Sequence, residues 1–278
     1  MKCTKLATLT FLYLLSFTTL ATNTDTLDYQ SIANNLVNQA IANDRQKVVN
    51  AQIRAAEQGD SEAQFDLAEM YEDGTHVEKN QELAAKWYAK SSDQGNVKSH
   101  VNLAIMYDDG RGVKQDYDKS LALYIKASDL GYNIAQYNLG IKYSTGLGVK
   151  QDYKESVRWY IKAAEQGFPE AQYNLPGKYS KGQGIYQDHK KAAMWLTKAA
   201  EQGFVNAQFN LATKYYKGLG VPKSVKQSYI WNSVSASGGN KLAIKNRNLD
   251  AQELSPSVLK EAKKEAAKLY ERVNIIGD

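Results

Sequence analysis

Apolar and small residues recur along most of this chain with a helical spacing, and the same face returns at a fixed interval. Ala171, Leu175 and Tyr179 fall at i, i+4 and i+8, one side of a helix. The triplet reappears as Ala63, Leu67 and Tyr71, as Ala135, Leu139 and Tyr143, and as Ala207, Leu211 and Tyr215. This first helix, helix A, is predicted to stop at Gly74, Gly110, Gly146, Gly182 or Gly218, where glycine accepts the left-handed backbone of a helix end. A second amphipathic run follows, with Ala84, Trp87, Tyr88 and Ser91 on its inner face. Asn80, Asp116, Asp152, Asp188 and Ser224 stand at one fixed position before it, and all five are residue types that cap a helix N-terminus. They mark helix B.

Each helix B closes on a version of Ala-Ala-Glu-Gln-Gly, identical at 55–59, 163–167 and 199–203. The glycines at 59, 95, 131, 167, 203 and 239 are each 36 positions apart. An ungapped period in this range signals stacked repeats, each too small to bury its own apolar face. Tryptophans 87, 159, 195 and 231 all occupy the same position of helix B, and Leu123 fills it in the second repeat. A bulky ring recurring in register opposite small helix A residues is core packing, not a cofactor box. The expected fold class is all-α, with repeats at 60–95, 96–131, 132–167, 168–203 and 204–239. Residues 22–59 are expected to hold a loose leader to about residue 28 and an N-terminal capping helix. Residues 240–278 are expected to hold C-terminal capping helices, the last starting at Ser255-Pro256. Pro176 stands where other repeats have Ala68, Ala104, Gly140 and Ala212, so a kink or break is expected at Leu175-Pro176.

The pattern A-x-A-Q-Y-N-L-G-x-x-Y-x-x-G-x-G-V-x-x-D, followed by W-Y-x-K-A-A-E-Q-G, closely resembles the Sel-one-like repeat, a relative of the tetratricopeptide repeat. The resemblance covers roughly 60–239. It implies a right-handed α/α superhelix that serves as an adaptor surface for other proteins, in bacteria often an exported one. A cysteine-rich branch of that family, described as β-lactamase-like, staples each repeat with a cysteine pair. This chain departs from it, since its one cysteine is Cys3.

The first 21 residues follow a different pattern. Lys2 and Lys5 precede an apolar run from Leu6 to Leu20, and Thr19-Leu20-Ala21 offers small residues for cleavage. That layout predicts a signal peptide over 1–21 and an exported product, periplasmic or secreted, with an uncleaved anchor as the alternative. After cleavage the chain would hold no thiol and no segment able to span a membrane. The net charge of +5 is mild and gives no nucleic-acid footprint.

Little in the sequence suggests catalysis. His76, His100 and His189 lie in separate repeats without metal-ligand spacing, so neither a metal site nor a cofactor is implied. Ser257-Val258-Leu259-Lys260 matches a Ser-x-x-Lys pattern without its usual companions, and Ser257 reads better as a first-turn helix residue. The chain is therefore read as a non-enzymatic scaffold for a protein or peptide. An enzyme acting on β-lactams or peptidoglycan, and a self-associating envelope component, stand as alternatives.

Two features could carry a partner. The first is an asparagine ladder on helix A, Asn102, Asn138, Asn174 and Asn210, with Asp66 in the first repeat. Its amides either face a bound peptide backbone or bond the neighbouring repeat. The second is a charge gradient at the end of helix A. Glu72, Asp73, Asp108 and Asp109 in the first two repeats give way to Lys142, Lys178, Lys181, Lys214 and Lys217 in the next three. Such polarity would orient a partner of opposite sense.

Overall fold

The computed structural model of the chain describes residues 23–276, so the signal-peptide segment lies outside the described residues. Thirteen helices and no strand are found among them. In chain order they are α1 (Asn23–Glu57), α2 (Ser61–Asp73), α3 (Gln81–Asp93), α4 (Val97–Asp109), α5 (Tyr117–Asp129), α6 (Asn133–Thr145) and α7 (Tyr153–Glu165). Then come α8 (Pro169–Lys181), α9 (His189–Glu201), α10 (Val205–Lys217), α11 (Val225–Ser237), α12 (Lys241–Glu253) and α13 (Pro256–Ile276). They divide into two compact units, one ending at Asn96 and one beginning at Val97.

In the unit up to Asn96, α1 packs on α2 and α2 on α3. In the unit from Val97, successive helices from α4 to α12 pack on one another, and α13 returns onto α11. The even-numbered helices α2 to α10 are the A helices and the odd-numbered α3 to α11 the B helices.

The B helices start as the sequence requires. The side chains of Asn80, Asp116, Asp152, Asp188 and Ser224 each accept a hydrogen bond from a first-turn N–H, at 2.8–3.2 Å. Such a cap contributes about 1 kcal/mol to its helix. Leu139, Leu175 and Leu211 are wholly buried, each contributing about 1.5–3 kcal/mol. The tryptophans join repeats: Trp159 packs among Val101, Ala104 and Tyr124 of the preceding repeat, and Trp195 and Trp231 do the same one and two repeats on. Trp87 finds its counterpart surface on α1, against Ile53 and Ala56.

A glutamine relay explains the closing pentapeptide. Gln172 donates to the carbonyl of Ala164 at the end of the previous helix B and accepts from Gln202 at 2.8 Å. Gln202 also donates to the Gly167 carbonyl. Gln136 and Gln166, and Gln64 and Gln94, form the same pair. The Ala164 carbonyl already accepts from the Gly167 N–H, so the glutamine adds a second donor to a helix end and ties that end to the next repeat. In the second repeat both positions change together, to His100 and Leu130.

Two expectations are corrected, the break at Leu175-Pro176 and the loose leader before the capping helix. Helix α8 runs unbroken from Pro169 to Lys181 through the buried Pro176, with Leu175 and Tyr179 fixed in the core on either side. Packing of those neighbours holds the helix despite the hydrogen bond that proline removes. At the other end, residues 23–28 lie within α1 and are helical rather than a loose leader. Only its last turns cap the first repeat, through Val49, Ile53 and Ala56. Ile32, Leu36, Val37 and Ile41, earlier in the helix, remain exposed.

Near the C-terminus, Asp250 of α12 is buried and accepts from Asn232 and Ser228 of α11, both at 2.8 Å. Burial pushes its carboxyl above the usual carboxylate range, against the pull of those two hydrogen bonds. A raised folded pKa means that the folded chain binds this proton more tightly than the unfolded chain. Stability is therefore highest below the unfolded value and falls as pH rises through the folded one. Asp250→Asn is expected to stabilise the chain at neutral pH, with the advantage shrinking on acidification, as read by urea unfolding at several pH values. An advantage that grows on acidification would refute this assignment.

Candidate functional site

The lysines and acids expected to form a surface gradient occupy three different positions of helix A. Lys142, Lys178 and Lys214 align with Met70 and Met106 of the first two repeats, and Met106 is wholly buried. They point inward. Lys142 Nζ lies 2.6 Å from Asp108 Oδ1, and both side chains are buried or nearly so, at 3% and 16% exposure. The ammonium also faces the rings of Tyr117 and Tyr124 at 5.3 and 5.7 Å. Burial, then the charges of Asp108 and Asp109, push the Tyr124 hydroxyl well up.

One repeat on, Lys178 donates to Ser144 Oγ at 2.7 Å and to Gln183, and lies over the ring of Tyr153. Lys214 donates to Ser180 Oγ at 3.3 Å. Each lysine thus reaches back 34 positions to Asp108, Ser144 or Ser180, tying one A helix to the next. Burial pulls both Lys178 and Lys214 below the usual lysine range, with Lys181 adding repulsion at Lys178. Four of the nine gradient residues, Asp108, Lys142, Lys178 and Lys214, are therefore interlocks between repeats. Alignment with the two methionines was the signal that separates them from surface charge.

The true surface position is the helix end, where Asp73, Asp109, Thr145, Lys181 and Lys217 align. All five are exposed. Asp109 pairs with Arg111 at 3.1 Å. Glu72 accepts from the Tyr88 hydroxyl at 2.7 Å and belongs to its own hairpin.

The asparagine ladder divides in the same way. Asn174 donates to the Tyr137 hydroxyl at 3.1 Å and Asn210 to the Tyr173 hydroxyl at 3.4 Å, each 37 positions back. In the first repeat Asp66 accepts from Gln52 of α1. At Asn138 the residue 37 positions back is Val101, which has no hydroxyl, and the half-buried amide has no hydrogen-bond partner among the described residues. Asn102 is half-buried in α4.

No group of three or more metal-ligating side chains occurs among the described residues, and no described helix is long and apolar enough to cross a membrane. Ser257 sits exposed on the first turn of α13, 3.2 Å from Ser255 Oγ.

The model of the Sel1 repeat matches residues 61–96, 97–132, 133–168, 169–204 and 205–240. The chain belongs to the Sel1 repeat family. A crystal structure of a Sel1 repeat protein from Oxalobacter formigenes is similar at 32% identity over 72% of this chain, with a TM-score of 0.66. A protective antigen from uropathogenic Escherichia coli, displaying the same repeat fold, is 26% identical over 82% of the chain, with a TM-score of 0.46. This chain spans 58% of the Oxalobacter protein and 65% of the Escherichia one. No curated protein matches it. Sel1 repeat proteins are generally protein-interaction scaffolds and typically not enzymes.

Proposed function

We propose that this Sel1 repeat chain is an exported, non-catalytic scaffold that holds a protein segment along the A helices of the unit from Val97. The observation that carries the reading is Asn138, an amide kept at the ladder position although its internal partner is missing. The Asn138 amide still reaches solvent, so it is free to exchange water for the backbone of a bound peptide. Lys181 and Lys217, exposed at their helix ends, would orient the segment by its acidic side, away from the Asp109 end. Export is supported by the pattern of the first 21 residues alone, and places the scaffold in the periplasm or outside the cell.

A photo-crosslinking side chain at position 138, in the chain expressed by its native host, is expected to capture a protein. The same group at Lys126, on a B helix, is expected not to. Asn138→Ala is expected to leave the melting temperature unchanged while weakening the captured partner about 5–10-fold, the worth of one hydrogen bond of ~1 kcal/mol. Asn174→Ala is expected to do the reverse, costing about 1 kcal/mol of stability because it breaks the link to Tyr137. Equal loss of stability in both variants would remove the case for Asn138. Recovery of the tagged chain only from the cytoplasm would remove the case for export.

A further inference from the structure

A groove of about 830 Å³ lies between helix α7 and the loop 182–187 of the next repeat. It opens on B-helix residues, away from the ladder position of the A helices. Ile161 and Ile185 line its apolar part, and Lys154, Arg158 and Lys162 follow at i, i+4 and i+8 along α7. Tyr186 stands at its mouth, 95% exposed, and makes no hydrogen bond or ring contact among the described residues. The corresponding loop residue is Glu78, Lys114, Lys150 or Pro222 elsewhere, so the repeat does not require an aromatic here.

Two physical points indicate what fits. Like charges four apart on a helix face repel, so the cationic row gives the isolated helix no stability. Only Arg158 has an acidic partner, Glu155 at 3.1 Å, while Lys162 is drawn over the Trp159 ring at 4.2 Å. The loop is also held in place, since Gly184 packs directly on the backbone of Tyr153 and Lys154. The groove is thus formed before anything enters it, which lowers the ordering cost of binding.

We infer that this groove is a second docking site, for an acidic segment of a partner protein carrying an aromatic or aliphatic anchor. The anchor enters between Tyr186, Ile161 and Ile185, and carboxylates pair with Lys154, Arg158 and Lys162. Aromatic and arginine side chains of this kind dominate binding energy at interfaces. The site is independent of the A-helix surface, and either can fail without the other.

The test is a selection of displayed random dodecapeptides on the full chain, followed by fluorescence anisotropy with the selected peptides. Expected are sequences rich in Asp or Glu around one aromatic or large aliphatic residue. Their affinity should fall about 10-fold or more in Tyr186→Lys and in Lys154→Glu/Arg158→Glu, and should weaken as salt rises. Asn138→Ala is expected to leave these peptides unaffected, which separates this site from the ladder. The substituted side chains are exposed, so the melting temperatures should stay unchanged. A selection without acidic enrichment, or peptides that bind both variants as tightly as the parent chain, overturns the proposal.

Discussion

Asp108→Asn is expected to destabilise the chain by about 3–5 kcal/mol, because it strips the counter-charge from a lysine already out of water. Lys142 is 3% exposed and its ammonium is 2.6 Å from the carboxylate. The rings of Tyr117 and Tyr124 offer only partial compensation, since a cation over a ring is worth about 0.5–2 kcal/mol. Asp109→Asn, one residue on, is the control. Its partner Arg111 is solvated, so the change should stay within ~1 kcal/mol.

The pair need not be stabilising as a whole. Taking two charges out of water costs several kcal/mol each, and a well-packed apolar pair often does as well. The chain itself suggests the replacement, because Met70 and Met106 occupy the lysine position in the first two repeats. Asp108→Leu combined with Lys142→Met is therefore expected to recover most of what Asp108→Asn loses, as read by urea midpoints. If the double variant is as unstable as the single one, the ion pair contributes something that methionine packing cannot replace. If Asp108→Asn costs under ~1 kcal/mol, Lys142 reaches water in solution and the interlock does not exist.

The same residues show what a single sequence discloses. Period, caps and tryptophan register were legible because each depends on local geometry: a cap needs its oxygen beside the first turn, and a ring in register needs the same neighbours in every repeat. The inward lysines were not legible as such, because charge alone suggests solvent. Only their alignment with Met70 and Met106 reveals the buried position, and only the fold reveals Asp108, Ser144 and Ser180 waiting 34 positions back. The asparagine ladder was legible as a ladder. Its division into bonded and unbonded members depended on tyrosines at 137 and 173 and a valine at 101, a distance no local pattern spans. Pro176 failed as a break because helix propensity is a local cost, while Leu175 and Tyr179 are held by neighbouring repeats.

Gly184→Ala carries the other large expected effect, a loss of about 2–5 kcal/mol from two added terms. The residue has φ +76, where a side chain costs an L-residue roughly 1–2 kcal/mol. An added Cβ would also approach the Tyr153 carbonyl carbon and oxygen to under 2.5 Å, and Lys154 N to 2.8 Å. Backbone atoms at the start of a capped helix have little room to give, so overpacking adds about 1–3 kcal/mol. Gly182, in the same loop at φ +67, isolates the first term. Nothing lies within 3.4 Å of a Cβ there, so Gly182→Ala should cost only the backbone strain of ~1–2 kcal/mol. The first repeat shows that the second term is the one that demands glycine. There His76 holds the equivalent position at φ +66 and lines a groove with Gln46 and Val49 of α1, so the left-handed backbone alone does not exclude a side chain. His76→Ala is accordingly expected to change stability by less than ~1 kcal/mol. Native-state hydrogen exchange would place the damage of Gly184→Ala at α7 to α9, where loop and helix meet. Equal losses for Gly182→Ala and Gly184→Ala would mean that the loop lifts off α7 at no cost, and that the groove beside it is not preformed.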